Sequence, residues 1–343
     1  MTVMKRFFAS AVLLSTVILC ASKCEEDNKA ENGGSMSKVE VKSTENPDPA
    51  NPNVYYTSDI SPEGLVKVYE ALGVKAEGRV AVKISTGESS KSNQLNPGLI
   101  QELVQKVGGT LVECNTAYGG SRATTEKHLK VIEERGYDKI AKVDIMDSEG
   151  NMEIPVKDTK WIKHDIVGTH LKDYDFMVNL AHFKGHAMGG FGGVLKNQSI
   201  GVASSAGKLY IHSAGRSTTK WIDDNQDGFL ESMAAAAQGV HDYFKQEGKD
   251  IIYINVMNNM SVDCDCDGSP ETPKVKDMGI LASTDPVALD QACLDLVFTH
   301  SDSEGDDAKP LQKRIERQHG THITEYAEQI GLGSRKYNIF NID

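Results

Sequence analysis

Residues 80–114 read VAVKISTGESSKSNQLNPGLIQELVQKVGGTLVEC, and their alternation indicates the fold class. The run from Val80 to Ile84 is short and rich in β-branched residues, which predicts a strand. Residues 97–107 place apolar side chains at helical spacing between a leading proline and a closing pair of glycines, which predicts a helix. Thr110 to Cys114 predicts a second strand. A strand–helix–strand unit favours a parallel or mixed sheet flanked by helices.

The same alternation continues on both sides of this unit. We predict further helices at 61–73, 124–135, 229–244 and 285–298, strands at 176–180, 251–256 and 279–283, two short helices within 310–332, and an added edge strand at 337–342. The predicted fold is α/β, with a mixed, mostly parallel sheet and flanking helices. Ligands of such sheets bind beyond the carboxyl ends of the strands, so the loops after Cys114, Leu180 and Val256 are candidate site loops.

Composition excludes several classes of protein. The 343 residues carry 49 acidic and 37 basic side chains, a formal net charge of -12. This balance disfavours nucleic acid as a partner, because clustered Lys and Arg supply affinity for phosphate backbones. With 39% hydrophobic and 25% charged residues, the chain is a globular protein rather than a disordered, collagen-like or polytopic membrane protein.

The N-terminus predicts export. A basic pair at positions 5 and 6 precedes an apolar run over 7–19 that is too short to span a bilayer, which is typical of a signal peptide, here residues 1–22. Cys20 or Cys24 could be lipidated, although neither follows a small residue, and ordinary cleavage near position 21 is the alternative. We expect a periplasmic protein or one anchored to the cell envelope by an N-terminal lipid.

A polar segment separates this leader from the folded part. Residues 23–53 contain almost no large apolar side chain, and such a segment cannot bury enough surface to offset its ordering entropy. We predict a disordered tether there and a single α/β unit at 54–343, built as one body or as two lobes.

A group of histidines and glycines marks the candidate site. His182, His186 and His212 fall within 31 residues, and the run GGFGGVLK occupies 189–196 between them. Glycines permit close approach of the backbone to a ligand. Lys196 can contact an anion, or act as an amine nucleophile if burial lowers its pKa. In the alternative interpretation, the glycines only pack tightly and the histidines bond to the local backbone.

Three stretches resemble a known family. Residues 179–215, the run SVDCDCDG at 261–268 and the run ILASTDPVA at 280–288 are similar to domain-of-unknown-function family 362. Members of that family are often labelled iron–sulfur centre proteins because some carry a fused ferredoxin segment. The resemblance covers most of 80–300 and implies no particular activity.

A more distant resemblance implies a cofactor. The pattern His186-x3-Gly190-Phe191-x-Gly193-x2-Lys196, followed by His212, is similar to the core of nickel-pincer lactate racemases. It implies a lactate-racemase-like N-terminal core with His186 as an acid/base, Lys196 bonded to the cofactor, and His212 as a nickel ligand. Gly190, Gly192 and Gly193 would line the cofactor.

The chain departs from the racemase pattern at one catalytic position. Ser121 stands where the racemases have their other catalytic histidine, and serine does not accept a hydroxyl proton near neutral pH. Arg122 follows and could hold a carboxylate bidentately. A chain exported unfolded, without a twin-arginine signal, would also lose a cytoplasmic cofactor. We therefore retain the pocket, with His186, Arg122 and Ser121 as its candidate catalytic residues, and set racemisation aside.

The cysteines leave metal, disulfide and inert thiols open. Cys114, Cys264, Cys266 and Cys293 follow the leader, and their spacing is neither that of a ferredoxin nor that of a paired zinc site. Cys-Asp-Cys nevertheless suggests capture of a soft metal. Candidate metal ligands are His212, His182, Cys264 and Cys266, and candidate metals are nickel and iron.

Two acidic loops resemble the start of a calcium site. They are the aspartates at 263, 265 and 267, and the Asp/Asn run at 223–227. Neither loop has the glutamate that an EF-hand carries at its twelfth position, and the second could simply cap a helix.

These observations support three functions. The first is a metal- or anion-binding pocket with acid/base or redox chemistry on a small carboxylate. The second is a non-catalytic lipoprotein that binds a metal or small ligand, and the third is an iron–sulfur protein.

Overall fold

An eight-stranded sheet organises residues 40–246 and 248–343, the part of the chain that the computed structural model describes. The predicted signal peptide and most of the predicted tether lie outside these residues. The strands in chain order are β1 (Asn53–Thr57), β2 (Val80–Lys83), β3 (Thr110–Glu113), β4 (Val143–Ile145), β5 (Asn151–Pro155), β6 (His164–Gly168), β7 (Phe176–His182), β8 (Lys184–His186), β9 (Gly190–Gly192), β10 (Asp250–Met257), β11 (Gly279–Ser283) and β12 (Asn338–Asn341).

The main sheet has the order β12-β1-β11-β10-β7-β2-β3-β4. Strands β10, β7, β2, β3 and β4 are parallel neighbours, whereas β11 is antiparallel to both β10 and β1. The edge strand β12 pairs in parallel with β1. The prediction of a mixed, mostly parallel sheet with flanking helices is confirmed, as is the added edge strand at the C-terminus.

Three helices begin at the residues that their capping side chains predict. Ser61, Thr124 and Asp285 cap the helices that begin at Pro62, Thr125 and Pro286 by accepting backbone N–H bonds, and Gly136 ends the second of these with a φ of 77°. The helices are α1 (Pro62–Ala71), α2 (Pro97–Lys106), α3 (Thr125–Arg135), α4 (Val194–Gln198), α5 (Ser205–His212), α6 (Gln226–Phe244), α7 (Pro286–Thr299), α8 (Lys309–Arg317) and α9 (His322–Gln329).

Each face of the sheet packs against its own helical layer. On one face, α1 and α2 cover a cluster that includes Leu103 and Ile254. On the other face, α4, α6 and α7 cover a second cluster that includes Leu195 and Ala236. Both faces are covered, as a mostly parallel sheet requires. Ligand access is therefore left to the edge at which the parallel strands end.

Several short elements carry no signal in the sequence. The hairpin β8–β9 consists of Lys, Gly, His and Phe, so it lacks the β-branched run that signals a strand. The chain also contacts the sheet before Val54. Val41 is buried, and the backbone N–H of Thr44 bonds to the carbonyl of Ile339 on β12. Hydrogen bonds to β12 hold this polar stretch, although its composition offers little apolar surface to bury. Within the described residues, none of the helices has the length and apolarity needed to cross a bilayer.

Candidate functional site

A cavity of about 320 Å³ lies at the carboxyl edge of the parallel strands. All three loops that the sequence singled out contribute to its wall, those after β3, β7 and β10. The lining residues are Lys83, Ser85, Glu113, Cys114, Thr116, Ala117, Tyr118, Arg122, Ala181, His182, Lys184, His186, Ala187, Met188, Gly192, Gly193, Lys196, Asn197, Ile200, Gly201, Lys208, His212, Trp221, Cys264, Asp265 and Cys266.

The cavity wall carries more positive than negative side chains, although the protein as a whole is acidic. Five lining side chains are Lys or Arg, and two are carboxylates, Glu113 and Asp265. The cations are Lys83, Arg122, Lys184, Lys196 and Lys208. A concave site of this kind focuses a positive potential and attracts anions.

Asp265 neutralises one of these lysines. Its Oδ2 lies 2.7 Å from Lys184 Nζ, and its Oδ1 lies 2.9 Å from His182 Nδ1. Burial alone would raise the pKa of Asp265, but the facing Lys184 and His182 hold it well below its usual range. His182 Nε2 also bonds to the carbonyl of Asn258, at 2.6 Å. Both ring nitrogens of His182 are therefore engaged, which leaves neither for a metal in this arrangement.

Arg122 is held by carboxylates of the protein itself. Its Nε lies 3.2 Å from Glu88 Oε2, and its Nη1 lies 3.5 Å from both oxygens of Glu113. Burial opposes the charge on Glu113, yet Arg122 and Lys83 lower the pKa of Glu113 to about 2. Ser121 bonds to Glu88 and does not line the cavity. Arg122 would have to release these partners before it could clamp a ligand.

Lys196 is the uncommitted cation of the site. Among the described residues, its Nζ has no hydrogen bond and no carboxylate within 4.0 Å. Lys83 and Lys208, in contrast, donate to Asn197 Oδ1 and to the carbonyl of Ala203. Burial, followed by the nearby charge of Lys184, lowers the pKa of Lys196 to about 7. Lys196 is therefore the lysine of the cavity wall that has no partner among the described residues.

His212 is buried between two aromatic rings. Its ring centroid lies 4.3 Å from that of Phe229 and 4.5 Å from that of Trp221. Burial and the charge of Lys196 lower the pKa of His212 to about 3, so the ring is neutral. Its Nδ1 has no hydrogen-bond partner among the described residues. Lys208 lies one turn earlier on α5, which places both side chains on the cavity face.

The backbone fixes the tautomer of His186. Its Nδ1 accepts N–H bonds from Gly189 at 2.8 Å and Met188 at 3.2 Å. The proton of the neutral ring must therefore sit on Nε2, which lies 4.0 Å from Cys266 Sγ. Burial, then the charge of Lys196, lowers the pKa of His186 well below its usual value. A ring that is neutral and holds its proton on Nε2 donates a hydrogen bond and cannot act as a base there.

The cysteines are in two different states. Cys264 and Cys266 form a disulfide, whereas Cys114 and Cys293 are free and buried. Burial raises the pKa of Cys114 to about 12. His186, Cys264 and Cys266 form the one group of metal-type ligands found within the described residues, with donor atoms within 4.8 Å of each other. Cys114 and Cys293 are not members of this group.

Two of the three site glycines have a packing reason. A Cβ on Gly193 would lie 2.2 Å from Asp290 Oδ1, whose carboxylate accepts the N–H groups of Val194 and Leu195 at the start of α4. Gly190 has a φ of 80°, and a Cβ there would lie 2.8 Å from a neighbouring backbone atom. Gly192 lines the cavity without such a contact.

The acidic loops do not gather carboxylates for calcium. Asp263 pairs with Arg314, and Asp265 pairs with Lys184. Asn225 caps α6, as the alternative interpretation of the second loop expected, and Asp227 pairs with His319.

Comparisons with known proteins give a family and two distant structures. The sequence matches the family described as Domain of unknown function (DUF362) over residues 80–295. No curated protein matches it. A solved protein from Thermotoga maritima is 13% identical, with a TM-score of 0.40, over 78% of this chain and 58% of that one. The lactate racemase apoprotein from Thermoanaerobacterium thermosaccharolyticum is 16% identical, with a TM-score of 0.41, over 71% and 56%. The chain thus spans less than two thirds of either protein.

Proposed function

We propose, for a chain that belongs to the DUF362 family, that the cavity binds a small carboxylate through the ammonium group of Lys196. The observation that supports this most directly is the lack of any carboxylate or hydrogen-bond partner at Lys196 Nζ among the described residues, at a site where Lys184 and Arg122 are already paired. A buried ammonium without a partner is costly, and an anionic ligand would supply one.

The charge and size of the site favour a small monoanion. Lys196 is the one cation of the wall whose terminal nitrogen has no hydrogen-bond partner within the described residues, so a single carboxylate supplies the missing partner. The cavity of about 320 Å³ is at the lower end of the range for small-molecule pockets, and aromatic and apolar side chains such as Trp221 and Ile200 share its wall. A small carboxylate with a short apolar body matches both features.

The residues do not fit the two-base chemistry of the nickel-pincer racemases. Ser121 lies outside the cavity wall, and Nδ1 of His186 already accepts two backbone N–H groups. We derive no racemisation step for this chain.

Metal binding is a second candidate function, favoured by one observation. The donor atoms of His186, Cys264 and Cys266 lie within 4.8 Å of one another. Thiolates are ligands for soft metals, so the disulfide would have to be reduced first. Metal analysis of the oxidised and the reduced chain separates the two functions. Zinc, nickel or iron retained only after reduction supports the metal site, and carboxylate binding without metal supports the anion site.

Calorimetric titration of the purified chain tests the anion site. L-lactate and pyruvate are the probes, with inorganic phosphate as a comparison of charge. Lys196→Gln removes the proposed partner, and Lys67→Gln, on the exposed face of α1, makes the same change in net charge away from the cavity. We expect Lys196→Gln to abolish measurable binding and Lys67→Gln to retain it. Equal affinity in both variants would refute the proposal.

Export is a separate proposal, based on the sequence of the first 24 residues. Fractionation of cells that express the full chain, with Cys20→Ser and Cys24→Ser variants, tests it. Recovery of the full-length, uncleaved chain in the cytoplasmic fraction would contradict it.

A further inference from the structure

We propose that Cys264 and Cys266 form a redox-active pair that exchanges two electrons with a small dithiol entering the cavity. This activity goes beyond carboxylate binding and does not depend on it. Both cysteines line the cavity, Cys264 at 4% exposure and Cys266 with a larger part of its surface accessible. The disulfide is therefore reachable from the space in which a small molecule would bind.

The loop around the pair is held in place without the disulfide. Asp265, between the two cysteines, bonds to Lys184 and His182, and its carbonyl accepts the N–H of Glu88 at 2.7 Å. After the pair, the carbonyls of Asp267 and Gly268 accept the hydroxyls of Ser92 and Ser89.

Before the pair, Arg314 bonds to Asp263 and to the carbonyl of Val262. A cross-link between residues only two apart also removes little entropy from the unfolded chain. Both observations argue that the bond has a chemical role rather than a structural one.

Hydrogen-bond donors stand beside both sulfur atoms. The backbone N–H of Cys266 donates to Cys264 Sγ at 3.2 Å, which would stabilise Cys264 as the leaving thiolate. The Nε2–H of His186 lies 4.0 Å from Cys266 Sγ and would face a thiolate there. Oriented donors at a developing negative charge assist its formation.

The dithiol gives up its two electrons in two successive thiol–disulfide exchanges. One thiolate of the dithiol attacks the more accessible Cys266 Sγ, the Cys264–Cys266 bond breaks, and Cys264 leaves with the electron pair. The second thiol of the dithiol attacks the mixed disulfide and releases Cys266 as a thiolate. The dithiol leaves as a cyclic disulfide, having given up two electrons and two protons, and the two cysteines have gained them.

The reverse direction gives a sharp test. The full chain is reduced with dithiothreitol, desalted and treated with 5,5′-dithiobis(2-nitrobenzoate). The double variant Cys264→Ser/Cys266→Ser, which keeps the other four cysteines, serves as the baseline. We expect two additional equivalents of released thionitrobenzoate relative to the baseline and no additional mass on the protein, because the second cysteine displaces the first adduct. Two retained adducts, or a pair that dithiothreitol does not reduce in the folded chain, would overturn the proposal.

Two further measurements separate chemistry from folding. The thermal midpoint of the reduced chain should match that of the oxidised chain, and unfolding on reduction would make the bond a structural cross-link. His186→Leu should slow closure of the disulfide several-fold, and His186→Gln, which keeps an N–H donor, should restore most of the rate. Equal slowing in both variants would show that His186 does not act as a hydrogen-bond donor to the sulfur.

Discussion

Carboxylate affinity should fall steeply as the pH rises above 7. Lys196 has a pKa of about 7 in the free protein because burial and the charge of Lys184 disfavour its ammonium form. A bound carboxylate favours that form and raises the pKa. Where the pH lies between the free and the bound pKa, each unit of pH weakens binding about tenfold.

The size of the effect follows from the same value. A group of pKa about 7 is about half protonated at pH 7 and about 1% protonated at pH 9. If the bound pKa reaches about 9, the bound lysine is itself only about half protonated at pH 9, so Kd should rise about 25-fold between the two pH values. A 25-fold change corresponds to about 1.9 kcal/mol, which lies within the usual range for a hydrogen bond to a charged group. Lys83, with a pKa of about 8, adds a weaker dependence because it keeps its bond to Asn197.

Calorimetry in two buffers of different ionisation enthalpy measures both the Kd and the number of protons taken up on binding. At pH 8 the free lysine is about one-tenth protonated and the bound one about nine-tenths, so binding should take up about 0.8 proton. Lys196→Gln should abolish this uptake in whatever binding remains. A Kd that is constant from pH 7 to 9, or an unchanged proton uptake in Lys196→Gln, would show that Lys196 does not hold the carboxylate.

Two further predictions concern packing and the cavity wall. Gly193→Ala should destabilise the protein by about 2–3 kcal/mol in urea unfolding, because the new Cβ would lie 2.2 Å from Asp290. Gly119→Ala is the control: no atom lies within 4 Å of its Cβ, so it should change stability by less than about 0.5 kcal/mol. Equal effects of the two substitutions would contradict the tight packing at α4. Carboxylate binding should change the fluorescence of Trp221, which lines the cavity. Trp221→Phe should therefore remove the fluorescence change, and Trp161→Phe should keep it. A change that is lost in Trp161→Phe instead would place the ligand outside the cavity.

Much of the fold was predictable because its signals are local. A capping residue and a following apolar spacing lie within one helix, so Ser61, Thr124 and Asp285 each marked a helix start correctly. The loops that line the cavity were predictable because ligands of parallel sheets bind beyond the carboxyl ends of the strands. Strands without β-branched residues, such as β8 and β9, carried no such signal.

The state of each site residue was not predictable, because it depends on contacts distant in sequence. Lys184 and Lys196 look alike in the sequence, yet only Lys184 has a carboxylate within 4.0 Å of its ammonium group. That carboxylate belongs to Asp265, which lies 81 positions later in the chain. Nothing local to Arg122 shows that Glu88 and Glu113 would occupy it. Lys208 was overlooked, although its spacing of four residues from His212 on one helix was a signal that could have found it.

A crystal structure of the chain with L-lactate or pyruvate would show whether Lys196 holds a small carboxylate inside the cavity. We predict a carboxylate oxygen within hydrogen-bonding distance of Lys196 Nζ, with Arg122 still bonded to Glu88 and Glu113. A ligand bound outside the cavity, or one held by Arg122 with Lys196 uninvolved, would contradict the account.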